Sequence, residues 1–186
     1  MAMNPSCESE YDFALILTGL REVTDEIAGA IYKAGCDDAT VSVRSGRVYV
    51  TFSRRAASMK DAVLSAIQNV LAANIGADVL RIDDCNLVTQ SEIARRSGRS
   101  RQVIHQYING TRGPGGFPAP ACNLADDSPL WYWCEVSYWL WENNLIREDV
   151  MRNAEQVEVI NAVLEFRRLR QLEPDLTKSI IDVVGT

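Results

Sequence analysis

Between Tyr11 and Ile82 the apolar period switches between that of a strand and that of a helix, and this order limits the fold more than any other feature of the chain. Residues 11–17 carry the run Phe13-Ala14-Leu15-Ile16-Leu17, which predicts a buried strand. Val23, Ile27, Ala30, Ile31 and Ala34 follow at helical spacing, with Gly35 as a stop signal. Val41 and Val43 then alternate with polar residues, Ser45-Gly46 supply a turn, and Val48, Val50 and Phe52 alternate again. That is a hairpin with one apolar face. Ser58 and Asp61 read as a helix start, and Met59, Val63, Ile67, Val70 and Leu71 form one stripe closed by Gly76. A last strand is predicted over residues 78–82.

A sheet with one apolar face needs cover, and two helices on that face are the economical solution. The order strand, helix, strand, strand, helix, strand resembles the ferredoxin-like βαββαβ unit. The expectation is an α+β chain whose first domain, residues 1–84, is ferredoxin-like. That fold hosts many functions and names none. An RNA-binding sheet would need basic and aromatic residues on its open face, where only Tyr49 clearly points.

Composition narrows the remainder. The chain has 186 residues, 47% hydrophobic and 24% charged, enough apolar side chain to bury a core. The longest purely aliphatic run, near Phe13 to Leu17, is far short of a membrane span, and no basic region precedes it. No membrane association is expected, and the cytoplasm is the expected compartment. The five cysteines are odd in number and widely spaced, which predicts reduced thiols and neither a disulfide framework nor a zinc site. His105 is the single histidine. With no carboxylate pair or nucleophile motif in sight, neither an enzyme nor a metal or cofactor site is expected.

The net charge of −6 argues against indiscriminate coating of nucleic acid, but the distribution is uneven. Residues 85–113 hold Arg95, Arg96, Arg99, Arg101 and Arg112 against Glu92 alone, while residues 114–143 hold four acidic side chains and no lysine or arginine. Inside the basic island, Thr89 reads as a helix cap, with Glu92 completing a capping box. Ile93 and Ala94 face inward. Gly98 lies where the chain must turn sharply, and Ser100 caps a second helix. Val103, Ile104, Tyr107 and Ile108 form that helix's buried stripe, leaving Arg101, Gln102, His105 and Gln106 outside. The stretch Gly110 to Gly116 contains Pro114 and no lysine, so it is a turn and not a phosphate-binding loop.

This segment resembles a helix-turn-helix, and the resemblance continues downstream. Gly116-Phe117-Pro118-Ala119-Pro120, then residues 130–136 (Leu-Trp-Tyr-Trp-Cys-Glu-Val), then Trp139-Leu140, look like the winged helix-turn-helix of MerR-like and excisionase-like (AlpA-type) DNA-binding proteins. The resemblance covers residues 87–142. It implies a wing hairpin made by the phenylalanine-proline segment and an aromatic strand, closed by a helix carrying Val136, Trp139 and Leu140. It implies double-stranded DNA as partner, with Arg101, Gln102, His105 and Gln106 reading base edges. Arg95, Arg96, Arg99 and Arg112 would neutralise phosphates on either side, with Thr89, Gln90 and Ser100 at the helix starts also at the DNA. The wing tip, residues 123–128, carries Asp126 and Asp127 and should repel phosphate, which makes the glycine loop with Arg112 the better second contact.

A domain over 85–143 is thus expected to be followed by a C-terminal segment over 144–186. There a helix from Arg147 to Leu172 has a wide apolar stripe that includes Ile160 and Leu164, stopped by Pro174. That stripe is the expected surface of a homodimer, with the open sheet face around Ile16 and Tyr49 as its rival. Together these features predict a sequence-specific transcriptional regulator of bacterial or phage type. The alternative is an antitoxin-like adaptor whose N-terminal domain binds a protein partner while the helix-turn-helix autoregulates. A small effector at that domain is a further expectation.

Overall fold

The computed structural model describes residues 8–122 and 128–185. The protein is mixed α+β and divides into two compact units, Met1–Asp84 with Val159–Thr186, and Cys85–Glu158. Where the sequence suggested a separate C-terminal segment from 144, one helix, Glu148–Leu172, contributes residues to both units. No helix among the described residues is long and apolar enough to cross a membrane.

The first unit opens with β1 (Ser9–Thr18), α1 (Asp25–Lys33), β2 (Ala39–Arg44), β3 (Arg47–Ala56), α2 (Met59–Ala72) and β4 (Asp78–Ile82). The strands pair antiparallel in the order β2-β3-β1-β4. The register sets Phe13 opposite Phe52, Leu15 opposite Val50 and Leu17 opposite Val48. Because side chains alternate across a strand, these six share one face, and all are buried with Ile31, Ala62, Val63, Ala66 and Val70 from the helices. Thr24 and Ser58 cap α1 and α2 by accepting the amides of Ile27 and Asp61. The opposite face is less open than its sequence suggests: Ile16 is buried and Tyr49 half-buried, with Arg44 over the tyrosine ring.

The same apolar row ends in an arginine. Arg54 is 7% exposed, follows Phe52 on the helix-facing side of β3 and lies 4.7 Å from that ring's centre. Its guanidinium donates twice to Asp38 (2.7 and 2.8 Å), once to Ser65 Oγ and once to the Gly35 carbonyl. A buried charge is tolerated only when paired and hydrogen-bonded, and four donations meet that condition. The hydrogen bonds from Arg54 hold the Asp38 carboxyl below its usual range. Burial pushes the neighbouring Cys36 thiol up.

The second unit holds β5 (Leu87–Val88), α3 (Gln90–Ser97), α4 (Arg101–Ile108), β6 (Trp131–Tyr132), α5 (Trp133–Glu142) and the start of α6 (Glu148–Leu172). Its core joins Val88, Ile93, Ala94, Ile104, Tyr107, Trp131, Trp133, Val136, Trp139, Leu140 and Ala154. The aromatic strand expected ahead of the closing helix is two residues long, Trp131–Tyr132. Leu130 bridges Cys122, β6 pairs with β5, and the helix begins at Trp133. Asn86 explains this early start: its carbonyl and Oδ1 accept the amides of Trp133 and Cys134 (2.6 and 2.9 Å), capping α5 from outside the helix. The acidic tip at residues 123–127 lies outside the described residues.

The remaining element, α7 (Pro174–Val184), follows Glu173, whose φ of −137° and ψ of 75° break the helical path ahead of the proline.

Candidate nucleic-acid interface

The basic island folds as two eight-residue helices joined at Gly98. Thr89 Oγ1 accepts the Glu92 amide and Ser100 Oγ accepts the Val103 amide, both at 3.3 Å. Gly98 has φ +65°, the left-handed conformation that favours glycine, and the Arg99 amide closes the turn on the Ala94 carbonyl at 2.9 Å. Gln90 Nε2 donates to the Arg101 carbonyl at 2.9 Å, tying the start of α3 to the start of α4. Ile93, Ala94, Ile104 and Tyr107 are buried between these helices and α5.

The outward side of α4 follows from helix geometry. At about 100° per residue, positions i, i+1, i+4 and i+8 share one sector. Arg101, Gln102, His105 and Asn109 occupy it, and all four are exposed; Gln106 at its margin is half-buried. Asn109 was not singled out from the sequence, although its i+4 spacing from His105 was legible. Its amide donates to the His105 carbonyl at 2.8 Å and lies 3.2 Å from His105 Nε2, steadying the end of the row.

The arginines divide into two kinds. Arg95 has a side chain 71% exposed, beside Glu92; Arg101 and Arg112 are exposed. Arg96 is turned inward. Only 13% of its side chain is exposed, it donates to Glu92 and to the Cys85 carbonyl (both 3.0 Å), and it lies over the Trp133 ring. Arg99 donates to the Leu145 carbonyl at 2.7 Å, and its Nε is buried without a hydrogen-bond partner. Arg96 and Arg99 therefore brace the helix pair, a role that residue type and spacing could not separate from phosphate contact. Glu92 likewise departs from the capping-box expectation, because its carboxylate takes Arg95 and Arg96.

The hydrogen bond from Arg95, followed by that from Arg96, outweighs burial and lowers the Glu92 pKa from the usual 4.5 to about 2. A lowered carboxylate pKa contributes stability above its unfolded value, which is lost as pH falls through the folded one. Glu92→Gln is expected to cost about 1 kcal/mol at pH 7, kept small because the side chain is 31% exposed. The difference from the parent chain should shrink between pH 4.5 and 2. Urea midpoints of both proteins at the two ends of that range check it.

The glycine loop is pinned to the core. Trp139 Nε1 donates to the Gly115 carbonyl (3.0 Å) and Trp131 Nε1 to the Pro118 carbonyl (3.1 Å). At Gly113, with φ +83°, an added Cβ would lie 3.0 Å from the Tyr107 ring, so only glycine lets the backbone pass there without displacing it. This anchoring carries exposed Arg112 just beyond the end of α4. Trp131, Trp133 and Trp139 are buried core residues, while Trp141 is half-buried.

Chemically, the assembly offers planar donors (Arg101, Gln102) and an imidazole on one short rigid helix, flanked by exposed guanidiniums at Arg95 and Arg112. Compared with protein-family models, with curated proteins and with solved structures, the chain matches none of them.

Proposed function

We propose that the chain is a sequence-specific regulator that binds double-stranded DNA in the cytoplasm, with α4 as its recognition helix in the major groove. The observation that carries this reading is the pair of capped helices turned at Gly98, which buries Ile104 and Tyr107 and leaves Arg101, Gln102 and His105 outward. An arginine fits the guanine O6 and N7 edge and a glutamine the adenine N6 and N7 edge. Arg95 and Arg112 supply phosphate contact, while Arg96 and Arg99 act only by holding the helices in place. On this reading residues 85–143 are a winged helix-turn-helix with a reduced wing. The strand order β2-β3-β1-β4, with α1 and α2 as connections, supports a ferredoxin-like first domain.

The test begins with selection of bound sites from random duplexes. Arg101→Ala and Gln102→Ala should each weaken binding to the selected site by roughly 1–3 kcal/mol and leave binding to random DNA nearly unchanged. Arg95→Ala should weaken both alike and lower the salt slope by about 1. Failure to select any sequence, or equal loss on both DNAs for Arg101→Ala and Gln102→Ala, overturns the assignment of α4 as the reading helix.

A further inference from the structure

The C-terminal helices carry an apolar row that no part of the chain covers among the described residues. Val159 is 62% exposed, Phe166 45%, Leu169 41% and Leu172 66%; in α7, Leu176, Ile180 and Val183 are exposed too. Their spacing is that of a heptad. Val159, Phe166 and Ile180 fall at a positions, and Leu169, Leu176 and Val183 at d positions, with Ala162 the remaining d. The helical path breaks at Glu173, with φ −137° and ψ 75°, so beyond that residue the spacing continues in sequence only.

The opposite side of α6 is already occupied. Asn161 accepts the Ile82 amide at 2.7 Å and donates to the Ile82 and Asp84 carbonyls, extending the ladder of β4 with a side chain. Arg167 donates to Asp78 and to the Val79 carbonyl, and Leu164 is buried. At about 100° per residue, Asn161, Leu164 and Arg167 centre roughly opposite the row of Val159, Phe166 and Leu169. The helix thus has one face for its own sheet edge and one with nothing on it. This removes Leu164 from the dimer surface expected from the sequence, and burial removes Ile16 from the rival one.

We propose that the part of this row on α6 is a self-association seam, in which the α6 helices of two copies of this chain pair in parallel. The flanking charges choose both the partner and the direction. Glu165, which takes Arg168 of its own chain at the surface, occupies a g position, and Arg170 the following e position. In a parallel pair each Glu165 meets Arg170 of the other copy, whereas an antiparallel pair sets Glu158 and Glu165 of the two g rows against each other.

The inference is independent of DNA binding, and its test contains no DNA. The full chain is followed by sedimentation equilibrium over a range of concentrations, with circular dichroism as the check on folding. A concentration-dependent dimer is expected. Phe166→Glu with Leu169→Glu should raise its dissociation constant by at least about 100-fold with a native spectrum, since both side chains are exposed in the single chain. A parent chain that stays monomeric throughout, or a folded double variant that still dimerises as tightly, overturns the proposal. Direction is read separately. Glu165→Arg should weaken the dimer and Glu165→Arg with Arg170→Glu should restore it; strengthening by Glu165→Arg alone overturns the parallel arrangement.

Discussion

Trp139→Ala is expected to destabilise the unit around the helix pair by about 3–5 kcal/mol, a large part of the whole stability of a domain of this kind. The indole is 7% exposed and packs against Tyr107 and Phe117, with ring centres 5.3 and 5.0 Å away. Its removal leaves a cavity between α4 and the glycine loop and deprives the Gly115 carbonyl of its donor. Arg112 should lose its fixed place with the loop. Trp139→Phe keeps most of the apolar volume but not the N–H, and should cost clearly less. Urea unfolding followed by the remaining tryptophans separates these outcomes. A loss below about 1 kcal/mol for the alanine variant would mean that this indole does not hold the core together.

Arg54→Ala should destabilise the first unit by about 3 kcal/mol, chiefly because Asp38 keeps its charge and loses its partner. The penalty is set at the lower end of the range because the Asp38 side chain is 28% exposed and can recover some water. Asp38 is held below its usual pKa by Arg54, so the pair contributes stability at neutral pH that is lost as acid protonates the carboxylate. The variant should therefore show a flatter acid limb than the parent chain. Replacing the pair together, Arg54→Met with Asp38→Leu, should recover much of the loss. Thermal unfolding at pH 7 and pH 3 compares all three. An Arg54→Ala protein as stable as its parent would reduce the buried pair to a bystander.

The elements of the first unit were legible residue by residue. Val48, Val50 and Phe52 alternate because one face of β3 is buried, and the turn at Ser45-Gly46 puts two residues in positive φ, 48° and 74°. The helix pair was equally legible. Thr89, Gly98 and Ser100 are local devices whose partners lie within a few residues, so short-range chemistry settles where α3 and α4 begin and end. Which side of α4 faces out follows from Ile104 and Tyr107 alone.

Long-range partners were not legible. The sequence presents Arg95, Arg96, Arg99, Arg101 and Arg112 as equals, yet Arg96 is taken by the Cys85 carbonyl and the Trp133 ring, and Arg99 by the Leu145 carbonyl. Asn86 caps a helix that begins far along the chain, at Trp133. Arg54 carries a full charge and is nonetheless among the buried residues. Local periodicity and capping thus determined where the helices and strands lie and which faces are apolar. Only the tertiary structure decided which polar groups are consumed inside the protein and which side of α6 is left uncovered. The physical reason is that a guanidinium or an amide can be satisfied by any carbonyl that the fold brings near, and that carbonyl carries no mark in the sequence.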